Sequence, residues 1–246
     1  MRLSLFKRQP DPDRIEVPHA GTVYPVAVKR RASARRMTLR VSQATGEITL
    51  TLPERADFAT GRLFAERHGG WIAARLAKRP LSVPFEPGQI IPYRGVPHRI
   101  VHWSKARGVT RATADKDGVA IIAVAGEAVH VPRRVKDFLR RAALEDLERA
   151  VRTHTATLGI PARKITIRDT TSRWGSCSSK GHLNFSWRLI LAPPLVLDYL
   201  AAHEVAHLKE MNHSHRFWAL THKLCPRTEE AEIWLKRHGA GLHGFG

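Results

Sequence analysis

His203-Glu204-Val205-Ala206-His207 constrains this chain more than any other stretch. On an α-helix a separation of four residues returns a side chain to nearly the same face, so His203 and His207 can aim ring nitrogens at one point. With a carboxylate beside the first imidazole, this is the H-E-x-x-H pattern of a catalytic zinc site, in which the glutamate takes a proton from a metal-activated water. The segment is therefore expected to be a helix with both imidazoles on one face. A structural zinc takes four protein ligands, whereas a hydrolytic one takes three and keeps a position for water, so one further ligand is needed.

His213, ten residues after His203, is the candidate. A continuing helix, at about 100° per residue, would carry it off the ligand face, so the helix has to stop first. Asn212 precedes it and readily takes the left-handed conformation that ends helices. His215 competes for the same role; its alternative is to stand behind a ligand or to face substrate. The other histidines have no ligand spacing and read as surface or core residues.

The 246 residues, 43% of them hydrophobic, suffice for one large domain or two small ones with a real core, which excludes global disorder. Forty-one Lys and Arg against 22 Asp and Glu give a net charge of +19, which favours acidic partners: nucleic acid, nucleotides or an anionic membrane surface. An Arg-rich host composition would produce the same excess without a partner. Cys177 and Cys225 form no CxxC pattern and imply no disulfide framework, which fits a reducing compartment. No apolar run approaches the length of a membrane span, and the N-terminus does not read as a signal peptide. A soluble cytoplasmic protein is expected.

Residues 21 to 52 alternate apolar and polar positions in TVYPVAVKR, RRMTLRVS and GEITLTL, with a turn signal at Ala44-Thr45-Gly46, and predict a small antiparallel meander. Its polar face carries Lys29, Arg30, Arg31, Arg35, Arg36 and Arg40, either for phosphate or nucleic-acid contact or as a solvated face. A helix follows over 54 to 79, interrupted at Gly69-Gly70. Pro80 to Pro97 reads as a connector, and short strands follow at 98 to 103, 109 to 114 and 118 to 124. From Pro132 an amphipathic helix runs with Val135, Phe138, Leu139, Ala142, Leu147 and Val151 on one side and ends at Gly159. KITIRD at 164 to 169 is a strand, SRWGSCSSKG a loop, HLNFSW at 182 to 187 a strand, and 194 to 211 the motif helix.

The expected fold class is α+β: an N-terminal antiparallel β-rich region with one helical segment over residues 1 to 131, then a zincin-like core over 132 to 246 that contains the H-E-x-x-H helix. HLNFSW is either a strand edge that pairs with an extended substrate or a buried interior strand. Arg173, Trp174 and Ser176 are candidates to stabilise a developing oxyanion. In the alternative, Trp174 anchors the loop, Gly175 makes its turn and Arg173 pairs structurally. Phe217 and Trp218 are expected to pack under the metal loop.

On the segments RRASARRMTLRV, GEITLTLP, WIAARL, SRWGSCSSKGHLNFSWRLILAP and HEVAHLKEMNHSHRFWAL, the chain resembles the YgjP-like, SprT-related family of bacterial zincin metallopeptidases over nearly its whole length. The resemblance implies that His203, His207 and His213 bind Zn2+, that Glu204 is the catalytic base, and that the substrate is a polypeptide. Two other readings compete. One keeps the metal but attacks phosphorus, as a nucleoside triphosphate pyrophosphohydrolase whose arginines bind phosphate. The other is a nucleic-acid-binding module in which zinc only stabilises the fold.

Overall fold

The computed structural model describes residues 11–42, 45–78, 81–104 and 108–246. The first ten residues, Ala44 of the expected turn and Pro80 at the head of the connector lie outside them. By its internal contacts the chain divides into two compact units, residues 1–79 and 80–246. No helix among the described residues is long and apolar enough to cross a membrane.

In the first unit four strands, β1 (Arg14–His19), β2 (Thr22–Arg31), β3 (Thr38–Val41) and β4 (Ile48–Pro53), form a sheet in the order β1-β2-β4-β3. β1 arises from RIEVPH, where Ile15 and Val17 point inward. The sheet is not the expected antiparallel meander, because β4 enters between β2 and β3 and runs parallel to β2. Burial explains the order: Ile48, Leu50 and Leu52 are 3% exposed or less, so the most apolar strand takes the central place. The short β3, with exposed Arg40, is left at an edge, where charge discourages further pairing.

Helices α1 (Phe58–Arg67) and α2 (Gly69–Ala77) cover the inner face of this sheet. Asp57 caps α1 by accepting from the Thr60 amide at 2.8 Å. The break falls at His68, and Gly69 serves a close approach, since a Cβ there would lie 2.8 Å from the His19 Cβ. Arg30 does not belong to the solvated basic face. It ion-pairs with Asp11 and donates to the carbonyls of Pro53, Glu54 and Ala56 at 2.8–2.9 Å, tying β2 to the chain after β4.

The second unit opens with the same plan. Strands β5 (Ile90–Tyr93), β6 (Val96–Trp103), β7 (Arg111–Ala114) and β8 (Ala120–Ala125) form a sheet in the order β5-β6-β8-β7, with antiparallel, parallel and antiparallel neighbours as in the first sheet. The first hairpin of each sheet closes on two successive left-handed residues, Ala20-Gly21 (φ 47° and 77°) and Arg94-Gly95 (φ 51° and 78°). That geometry matches the twist of the flanking strands.

Helix α3 (Val131–Leu158) packs its expected apolar face on this sheet and ends at Gly159, whose φ of 75° closes the last turn onto the Thr155 carbonyl. The contact boundary lies at 79/80, so β5 to β8, which precede the change of sequence character at 131/132, share a core with α3.

A third sheet follows from β9 (Lys164–Arg168), β10 (Gly175–Cys177) and β11 (His182–Ser186), in the order β10-β11-β9. HLNFSW is thus the interior strand, antiparallel to β10 and parallel to β9. Leu183 and Phe185 are buried to 1% exposure or less, which suits a centre rather than a rim. The edges are β9 and β10, of which β10 comes against Glu204 of the motif helix. Helices α4 (Pro194–Ala206), α5 (His215–Leu224) and α6 (Thr228–Leu242) complete the unit. α4 buries Val196, Leu200, Ala201, Ala202 and Val205 in the common core, which holds the motif helix rigidly.

Candidate active site

α4 carries His203 and Glu204, and His207 is its C-cap. The helix therefore ends before the expected break at Asn212, and Asn212 does not adopt a positive φ. Leu208 donates to the Val205 carbonyl at 2.9 Å and Lys209 to that of Ala206 at 3.1 Å, which tightens the last turn. His207 fastens it, its Nδ1 donating to the Glu210 carbonyl at 3.0 Å. The chain then folds back through Asn212 to Ser214, which caps α5 by accepting from the Phe217 amide.

This turn brings His213 against α4. One ring nitrogen from each of His203, His207 and His213 lies within 4.8 Å of the others, and the Nε2 atoms of His203 and His213 are 3.1 Å apart. His215, exposed on the first turn of α5, is not part of the cluster. Beneath the three rings sits Phe217, fully buried, with ring centroids 4.4–4.8 Å from each imidazole. Trp218 stands about 6 Å from His203 and His213, so both aromatics pack against the histidine cluster. Burial and the neighbouring imidazoles lower His203 to about 4, and burial lowers His207 as well, so both are neutral near pH 7 and offer lone pairs.

Glu204 is 4% exposed and its Oε2 has no hydrogen-bond partner. Burial raises its carboxyl to about 8, against the opposing charge of Arg173. Strand β10 forms the other wall, and Gly175 is where its backbone comes down on the carboxylate. A Cβ at 175 would lie 2.7 Å from Glu204 Cγ and 2.8 Å from Cδ. Gly175, Ser176, Cys177, Met211, Glu204 and the three histidines line a cleft of about 240 Å³. Burial and Glu204 push the Cys177 thiol up to about 11, away from the thiolate form.

The SRWGSCS loop divides its tasks. Trp174 is an anchor, stacked on His243 at 5.0 Å between centroids and packed near Gly239 of α6. Ser176 receives a hydrogen bond from the Asn184 side-chain amide at 3.4 Å on the neighbouring strand. The Arg173 guanidinium is exposed and acts on Glu204 through its charge. Tyr199 and Glu232, which join the site behind His203, carry little signal in the sequence. Tyr199 stands one helical turn before His203, and Glu232 arrives from α6.

The donor set suits a metal ion: three converging imidazoles, two held neutral, with an orphaned buried carboxylate oxygen beside them. The model of the YgjP-like metallopeptidase domain matches residues 35–238. The crystal structure of the metallopeptidase zymogen of Pyrococcus abyssi abylysin is similar over 37% of this chain and 93% of that one, with 26% identity and a TM-score of 0.34. No curated protein matches. The match over most of its length establishes that this chain belongs to the YgjP-like metallopeptidase family.

Proposed function

We propose that the protein is a zinc-dependent metallopeptidase in which His203, His207 and His213 hold the ion and Glu204 is the general base. The convergence of three imidazoles beside a buried carboxylate with a free oxygen carries the reading. When bound, zinc supplies a Lewis acid that polarises the scissile carbonyl and makes water easier to deprotonate. Glu204 accepts the proton of the attacking water, more readily ionised beside a cation than in its apolar slot alone, and passes that proton to the departing amine. The edge of β10 pairs with an extended peptide and lays it along the cleft. Arg173, exposed beside Glu204, is the group that answers the negative charge developing on the carbonyl oxygen.

The test is cleavage of an unfolded polypeptide by zinc-loaded protein, run beside a panel of nucleoside triphosphates. Glu204→Gln is expected to retain zinc and lose roughly a hundred- to ten-thousand-fold in peptide cleavage. Pyrophosphate release without peptide cleavage, abolished by the same substitution, would replace this reading with the pyrophosphohydrolase. Activity untouched by Glu204→Gln, in a chain that unfolds with His203→Ala, would leave zinc a structural role only.

The partner side of the proposal is the outer face of the first sheet. In its register Arg14, Ala27, Thr49 and Arg40 fall in one row across the four strands, Lys29, Thr51 and Thr38 in the next, and Arg31 opposite Pro53 beyond them. Small residues thus lie between exposed cations, a surface suited to a phosphate backbone or a nucleotide. Charge reversal at Lys29, Arg31 and Arg40 together should abolish salt-dependent binding to a DNA duplex. Unchanged binding would dismiss this face. With Cys177 and Cys225 both free, we place the protein in the cytoplasm.

A further inference from the structure

The second nitrogen of each histidine on α4 is held in a different way. His207 Nδ1 donates to a backbone carbonyl, that of Glu210. His203 Nδ1 instead faces a side chain, the hydroxyl of Tyr199 at 3.4 Å, and that hydroxyl lies 2.8 Å from Oε1 of Glu232 on α6. Tyr199 is 5% exposed, so the hydroxyl is confined to these partners, and its ring meets the His203 ring edge-on at 5.8 Å. Hydrogen-bond accounting fixes the direction of the chain. A carboxylate only accepts, so the one hydroxyl proton of Tyr199 goes to Glu232, and the phenolic oxygen is left to accept from His203 Nδ1–H. That tautomer leaves the Nε2 lone pair of His203 pointing at His213 Nε2, 3.1 Å away, where the three imidazoles converge.

We propose that Glu232 is a positioning residue for His203 and acts through Tyr199, so that α6 sets the tautomer and ring orientation of a ligand carried by α4. The inference rests on the zinc reading above. Glu232 makes the phenolic oxygen a better acceptor, which strengthens the His203 Nδ1–H bond and makes Nε2 a better donor to the ion. Lys236, one turn further along α6, stands 3.9 Å from the other Glu232 oxygen and leaves Oε1 to the tyrosine.

Zinc dissociation constants measured by chelator competition on the full chain test this without any activity assay. Tyr199→Phe keeps the ring and removes the hydroxyl, and is expected to weaken zinc binding about 10- to 100-fold. Glu232→Gln keeps the shape and an acceptor, and should weaken it by about threefold to tenfold. Because Glu232 works through Tyr199, adding Glu232→Gln to Tyr199→Phe should change the constant less than about twofold. Thermal melts of the metal-free proteins report folding, and the partly exposed Glu232 carries the test if Tyr199→Phe does not fold. Tyr199→Phe binding zinc as tightly as wild type would overturn the relay. So would a Glu232→Gln effect of equal size in both backgrounds. Wild type that takes up no zinc would bring down the metal reading itself, a result distinct from either.

Discussion

Gly175 and Glu204 are fitted to each other: the backbone of the edge strand occupies the place where any larger residue would meet the carboxylate, with Cγ 2.7 Å and Cδ 2.8 Å from a Cβ at 175. Such distances cannot persist, so Gly175→Ala must displace either the strand or the carboxylate. The three imidazoles lie outside this contact. Gly175→Ala is therefore expected to keep its zinc and to lose at least about tenfold in kcat. Metal content and kcat measured on one preparation check the prediction, and a variant with unchanged kcat would show that the carboxylate has room to move.

Acid and base titration should separate the groups of the site in the metal-free protein. Burial lowers His203 from its ordinary 6.5 to about 4, with His207 shifted in the same sense. The unfolded chain then binds protons that the folded one does not, and stability rises with pH through that window. Glu204 does the reverse. Its carboxyl is raised from 4.5 to about 8, so the folded state keeps a proton that the unfolded state has lost, and stability falls as pH rises. The two trends oppose each other up to 6.5, and above it Glu204 acts alone. Urea melts of the metal-free protein should lose about 2 kcal/mol between pH 6.5 and 8. Glu204→Gln should flatten that decline, and a decline that survives the substitution would assign it to another group.

Zinc stoichiometry distinguishes the two histidines after Asn212. His213→Ala is expected to release the ion at micromolar protein, because only two imidazoles then converge. His215→Ala, on the exposed start of α5, should retain one zinc per chain. The opposite pair of results would move the ligand assignment to His215.

Phe217 is a structural prop with a functional load. Fully buried and within 4.8 Å of all three imidazole centroids, it sets the floor of the site. Phe217→Ala should cost roughly 3–5 kcal/mol of stability in the metal-free protein. Phe217→Leu should retain most of that stability yet weaken zinc binding, since a branched aliphatic cannot reproduce the flat contact with His207. Chemical denaturation and chelator competition measure the two effects separately.

Local spacing made the motif helix, the long amphipathic α3 with its stop at Gly159, and the Gly69 break legible, because each depends on residues within a few turns of one another. Strand order was not legible. The entry of β4 between β2 and β3 depends on which strand buries most apolar surface once all are paired, and no residue in β3 or β4 announces it. The same limit left HLNFSW open between an edge and an interior strand, and the pairing of β11 with both β10 and β9 makes it the interior one. The end of α4 was misjudged because the signal sought was an asparagine, whereas the turn is closed by the ring of His207 on the Glu210 carbonyl. Arg30 was read with its basic neighbours, but it alternates to the side where three carbonyls wait.

The two four-stranded sheets, alike in order, sense and hairpin turn, each rest on a separate set of core residues. One topology is thus used twice, and in only one case does the same apolar core extend to the helix that bears the histidines. Evolution can therefore treat the amino-terminal copy as a free variable: substitutions on its outer face can accumulate while the core that seats the histidine-bearing helix stays as it was.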